Sequence, residues 1–278
     1  MAVRYNLVVR VVVALLGFAA TTAVSASPAA ASPDAGRAAP AGTVTYVEQG
    51  HRTDKGTCRF ESEGERHVDD GAVVLYFTEL AYDPATCVRR MARAEYRPDE
   101  VPPAIARQLA AGSSKEAAGQ HRAESGQRGS AARPGVQAVI PYTMTVQVWW
   151  EDPVYIDLTM TRSTLGWAYS TPDLLLYGPS YHEAYWYWFD ASGWKRDHAD
   201  YLFYDDGANT GTNTVGRFSN SSFYLPVICD TVGGTTYADH ALTYAWASNY
   251  GYFGYSLYSE KSGNCADGMY GSYIVTLA

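Results

Sequence analysis

The chain has 278 residues, of which 47% are hydrophobic and 14% aromatic, and its formal net charge is −8. That apolar content is enough to build a sizeable core and excludes a chain that is disordered throughout. The acid excess repels phosphate backbones, so nucleic acid is excluded as an expected partner.

Arg4 and Arg10 form a positive n-region, followed by a short apolar run over Val11–Val24 and then small residues. Val24-Ser25-Ala26 fits a signal-peptide cleavage site, and "AAAS" near Ala31 is a second candidate. Residues 1–26 are therefore expected to be a secretory signal peptide, and the mature protein to be extracellular. The apolar run is too short to span a bilayer, and no later segment approaches the roughly 18 apolar residues a span needs. Without Arg4 and Arg10, the 29 acidic residues exceed the remaining basic ones by ten.

Residues 27–42, "SPAAASPDAGRAAPAG", are rich in Ala, Pro and Ser and read as disordered. A small β-rich module is expected over 43–97. Its strands are "TVTYV" at 43–47, "TCRFES" at 57–62 and "AVVLYFTELAY" at 72–82, separated by turns at Asp54-Lys55-Gly56 and Asp69-Asp70-Gly71. Residues 98–140 read as a flexible linker, in which "AIARQLAA" after Pro102-Pro103 suits a short helix.

The aromatic load lies further on: all seven Trp follow from Trp149, and Tyr142 opens a dense run of Tyr. Met144, Val146, Val148 and Trp150 alternate with polar residues and Trp149. After a turn at 151–153, Val154, Ile156, Leu158 and Met160 alternate with Tyr155, Asp157, Thr159 and Thr161. Period two, twice, predicts an antiparallel pair. Phe223, Leu225, Val227 and Cys229 are expected on one strand face, and Leu242, Tyr244 and Trp246 on another. The expected fold class is mainly β, with an antiparallel β-sandwich or jelly roll over 141–278.

Cys58, Cys87, Cys229 and Cys265 are four in number, and in an exported chain they read as two disulfides. Cys58–Cys87 and Cys229–Cys265 are preferred among the three pairings, because each closes a short loop within one segment. Zinc is disfavoured: no C-x-x-C spacing occurs.

"FTELAYDPATC" at 77–87, "VWWEDPVYIDLTMTRSTLGWAY" at 148–169 and the later aromatic strands with two Cys resemble a group of secreted proteins of Gram-positive, mostly actinobacterial, species. The resemblance implies export and a β-rich body. It carries no activity.

"YHEAYWYWFDASGW", Tyr181–Trp194, raises the question of function. As a strand it puts Tyr181, Glu183, Tyr185 and Tyr187 on one face and His182, Ala184, Trp186 and Trp188 on the other. One such face can be core and the other a shallow platform for the apolar face of sugars. The hairpin turn at 248–251 puts Tyr250 at a tip, with Tyr252 beside it. Trp186, Trp188, Tyr250 and Tyr252 are thus the expected ligand contacts of a non-catalytic binding domain for polysaccharide or another cell-surface component. One alternative is a glycoside hydrolase with Glu183 as a catalytic carboxylate, which needs a second carboxylate across the site. Another is a structural or interaction protein of the cell envelope. "HEAYW" lacks the second His of a zinc motif, and no G-x-S-x-G elbow is present. Asp205, Asp206, Asn209 and Asn213 are oxygen-rich and are calcium candidates, but a turn between strands suits them better. No cofactor is expected.

Overall fold

The computed structural model describes residues 37–111, 121–122, 138–154, 156–178, 180–223, 229 and 234–278. The expected signal peptide, residues 27–36 of the expected disordered stretch, most of the linker and the stretch around Leu225 and Val227 lie outside them. In chain order the elements are β1 (Val44–Gln49), β2 (His51–Arg52), β3 (Cys58–His67), β4 (Val73–Asp83), β5 (Val88–Tyr96), α1 (Pro103–Ala111), β6 (His121–Arg122) and β7 (Val139–Glu151). There follow β8 (Asp157–Ser170), β9 (Leu175–Leu176), β10 (Tyr181–Trp188), β11 (Lys195–Asp205), β12 (Asn209–Asn220), β13 (Thr236–Ser248), β14 (Tyr252–Gly263) and β15 (Tyr270–Leu277).

These strands form an antiparallel β-sandwich. The large sheet runs β1-β5-β4-β15-β7-β8-β10-β6, with β9 paired to β8; the small sheet runs β11-β12-β13-β14-β3-β2. The chain changes sheet between β1 and β2, between β3 and β4, between β10 and β11, and between β14 and β15. This connectivity corrects the expectation of a separate module at 43–97. β4 pairs with β15, and β3 pairs with β14. About 55 residues alone would bury too little apolar surface, and the pairing with C-terminal strands supplies it.

Both preferred disulfides are present, Cys58–Cys87 and Cys229–Cys265. The first ties β3 of the small sheet to the start of β5 in the large sheet. The helix expected after Pro102 is α1. Residues 37–42 depart from the expected disorder: Arg37 is buried, and its guanidinium bonds Glu151 at 2.5 Å and the backbone oxygen of Asp152.

The central core joins Leu75, Phe77, Met91, Met144, Val146, Val148, Leu165, Trp167, Tyr169, Phe253, Leu257, Tyr273 and Val275. A second cluster holds Trp150, Trp186, Trp194, Phe218 and Met269. Between the sheets, buried hydroxyls pair across the gap: Thr161 with Thr243 at 2.9 Å and Ser163 with Thr214 at 2.7 Å. Pairing satisfies groups whose burial would otherwise be costly.

The β7 alternation runs as expected, with Met144, Val146 and Val148 facing inward. The second alternation does not. β8 begins only at Asp157, and Val154 and Ile156 are exposed. Asp152 Oδ1 accepts the N–H groups of both Val154 and Ile156, which holds that stretch as a loop.

A third cluster lies on the outward face of the large sheet. Val74, Tyr76, Trp149, Met160, Tyr185 and Ile274 are covered there by Ile105 and Leu109 of α1. No helix among the described residues is long and apolar enough to cross a membrane.

Candidate aromatic binding face

β10 runs antiparallel to β8, with Trp186 opposite Thr161 and Trp188 opposite Thr159. Thr161 faces the small sheet, so both Trp point into the sandwich. Trp186 is 5% exposed, and its indole N–H donates to Val215 O at 2.7 Å. Trp188 is half-buried beside Phe218, with the Arg196 guanidinium 5.0 Å from its ring. Tyr185 and Tyr187, on the other face, join the cluster under α1. Both faces of β10 are therefore covered, and the expectation that Trp186 stands on an open platform is corrected. A strand packed on both sides needs two apolar faces, which β10 fills with aromatic side chains.

Glu183 sits on the outward face of β10. Its Oε1 accepts from Arg162 at 3.2 Å and its Oε2 from the Tyr181 hydroxyl at 2.7 Å. Each oxygen thus has a structural partner, which leaves the hydrolase reading without support from this geometry.

Tyr250 and Tyr252 lie at the tip of the β13–β14 hairpin, 65% and 47% exposed. The tip is firmly held. Tyr250 N–H donates to Leu174 O at 2.8 Å, His67 Nε2 lies 2.9 Å from Tyr250 O, and the Tyr252 ring meets His67 edge-on at 5.1 Å. Tyr250 has φ +70°, a left-handed conformation that costs a non-glycine residue on the order of 1 kcal/mol. This tip is next to Tyr169, whose hydroxyl donates to Ser248 O and Tyr252 O. Trp188 stands opposite Thr159, ten positions back along β8. At ~3.3 Å per residue the two pairs are about 33 Å apart, so the four expected contacts do not form one site.

The turn Asp205–Asn209 is closed by bonds to its own carboxylates. Asp206 Oδ1 accepts from Ala208 N–H and Asn209 N–H, and Asp205 Oδ1 accepts from Gly207 N–H. These bonds, led by that from Ala208, hold the Asp206 carboxyl below the usual range. Asn213 lies on β12, away from the turn. Among the described residues no group of three or more His, Cys, Asp or Glu could hold a metal ion.

A different aromatic face emerges from the register of the small sheet. Trp246 lies opposite Gly211 on β12 and Gly254 on β14, and Gly211 lies opposite Tyr204 on β11. In the next row Leu202, Asn213, Tyr244 and Ser256 line up; Leu242 pairs with Tyr258 in the row beyond. These residues all point away from the core, because the alternating Thr243, Ala245 and Ala247 are the buried ones. Small inward residues let the sheets approach closely, and the bulk of β13 is left outside.

The glycines are seats for rings. A Cβ on Gly211 would lie 2.6 Å from the Tyr204 ring, and one on Gly254 would lie 2.6 Å from the Trp246 ring. Both rings therefore lie down on the sheet. The Tyr204 and Tyr244 hydroxyls are 2.6 Å apart, and their rings are stacked at 6.5 Å. Burial is the largest cause that raises both phenols above their usual range. Tyr204, Tyr244 and Trp246 are half-buried, whereas Leu202 is 63% exposed. Beside this face β3 displays the exposed carboxylates Glu61, Glu63 and Glu65. At its far end the Arg217–Asp239 pair closes with two bonds of 2.9 Å.

No family model, curated protein or solved structure matches this chain. The face must therefore be read from its own chemistry: flat rings, a few hydroxyls, and acid along one side. The period of Leu242, Tyr244 and Trp246 was visible in the sequence, but not the direction in which their shared face turns. The usable signal was the size of their neighbours, since Gly211 and Gly254 leave room only for a ring laid flat.

Proposed function

We propose that this is a secreted, non-catalytic binding protein whose ligand surface is the outward face of the small sheet. The carrying observation is the row Tyr204–Gly211–Trp246–Gly254, which presents two rings flat on a rigid sheet. Flat rings stack on the C–H faces of sugar rings, and the Tyr204–Tyr244 hydroxyl pair offers hydrogen bonds at the edge. The acidic column Glu61, Glu63 and Glu65 repels anionic polymers, so the ligand class is an uncharged or cationic polysaccharide. Two disulfides and an N-terminal segment that reads as a signal peptide support an extracellular setting.

The test is a titration of the purified chain with uncharged and cationic glycans, followed by Trp fluorescence and co-sedimentation. Trp246→Ala is expected to abolish binding and Trp186→Phe to leave it intact. Binding retained in Trp246→Ala would overturn the assignment. Release of reducing sugar in the same tubes would overturn the non-catalytic reading.

A further inference from the structure

The interior of the sandwich holds an ionic pair that ligand binding does not use. Glu79 projects inward from β4 and Lys261 inward from β14, so the pair bridges the two sheets. Lys261 Nζ donates to Glu79 Oε1 at 2.6 Å and to Met269 O at 2.5 Å. The two side chains are 2% and 0% exposed. The rings of Tyr82, Trp150 and Tyr270 stand 4.1, 5.4 and 5.9 Å from the amine. Glu79 Oε2 is buried and has no hydrogen-bond partner.

This is an expensive way to keep two charges. Both are shielded from bulk solvent, and one carboxylate oxygen has no protein donor to accept from. Burial is the largest influence on Lys261 and lowers its pKa, against the pull of Glu79 and Asp267. One proton moved along the 2.6 Å bond converts the ion pair into a neutral amine beside a neutral acid. In water these partners ionise and do not condense. Here water is excluded and the amine is held against the carboxyl, which is the arrangement that raises effective molarity.

We propose that Lys261 and Glu79 condense into an intramolecular amide that staples the two sheets. The Lys261 Nζ lone pair attacks Glu79 Cδ, and the N–C bond forms. One C–O bond of the acid breaks, and that oxygen, with its own proton and one from nitrogen, leaves as water. No oxidant, reductant or cofactor is needed, since carbon and nitrogen keep their oxidation states. Asp267 acts on Lys261 through its charge, which favours the protonated amine. The product has no buried charge and no unpaired carboxylate oxygen. Its remaining N–H keeps the bond to Met269 O. The cross-link would lie in the same interior region as Cys58–Cys87, which also joins the two sheets.

Peptide mapping tests this directly on the full chain, folded, then denatured, reduced, alkylated and digested with trypsin. A branched species is expected that joins residues 67–89 to residues 218–278 and is lighter by one water than the two parts. Cleavage after Lys261 should be blocked. Full cleavage there, with linear 67–89 recovered from folded protein, would overturn the proposal. In Lys261→Met the branched species is expected to vanish; its persistence would overturn the assignment to Lys261. The map of the unmutated chain decides the matter even where that variant fails to fold.

Discussion

Both sheets carry aromatic residues on the face turned away from the core, and the two faces have different fates. On the large sheet, Trp149, Tyr76 and Tyr185 lie beneath Ile105 and Leu109 of α1. Burial pushes the Tyr76 phenol up to about 12. The polar groups caught there are gathered on Glu151, which accepts from Arg37, from Gln108 at 2.9 Å and from the Trp149 indole at 2.8 Å. On the small sheet, Tyr204, Tyr244 and Trp246 stay half-buried, Leu202 is largely exposed, and the flanking acids Glu61, Glu63 and Glu65 are exposed. A covered aromatic face needs partners for each polar atom it buries. An open one leaves its rings within reach of a ligand.

The strongest blow to the covered face is Arg37→Met. It leaves Glu151 buried without its cation, and a loss of about 3–5 kcal/mol is expected, read as a lower urea midpoint. Glycan binding should be unchanged at temperatures where the variant stays folded. Ile105→Ala removes apolar contact under α1 and is expected to cost about 2–4 kcal/mol by the same measurement. An unchanged midpoint in both would mean that the covering segment does not hold the large sheet.

The covered face also titrates. Asp157 is pushed up to about 7, chiefly by burial and then by Glu151, with Arg37 opposing and Asp152 adding. A carboxyl raised in the folded state binds its proton more tightly there than in the unfolded chain. Stability is therefore highest below the unfolded value of 3.8 and falls as pH rises towards about 7, above which this contribution is flat. Denaturant midpoints across that window should show the slope, and Asp157→Asn should remove it.

The open face is sharpened by Gly211→Ala. The new Cβ meets the Tyr204 ring at 2.6 Å and lifts it, so binding should weaken while the fold loses about 1–3 kcal/mol. Tyr250→Gly is the smallest change. It relieves the left-handed backbone at the hairpin tip, and a gain of up to about 1 kcal/mol in stability is expected with binding untouched. Lost binding in Tyr250→Gly would return the ligand to the hairpin tip.

Much of the fold was legible. The alternation in Met144–Trp150 marked an inward face, the Gly71 turn separated β3 from β4, and the spacing of the four Cys favoured the two bridges that form. Period two tells which residues share a face, but it does not tell which face is inward. For β10 both faces were aromatic, and only the presence of β12 on one side and α1 on the other decided that both are covered. For β13 the shared face of Leu242, Tyr244 and Trp246 was legible, and only the close approach of β7 and β8 to Thr243, Ala245 and Ala247 turned it outward.

The sequence by itself determined the β class, the acidic surface, the disulfide chemistry and the supply of aromatic residues, because these follow from composition and local period. Only the tertiary structure decided that residues 43–97 complete the sandwich, that Trp186 is core while Trp246 is surface, and that Glu79 meets Lys261. Those outcomes depend on partners far apart in the chain, and burial is a property of the partner as much as of the residue.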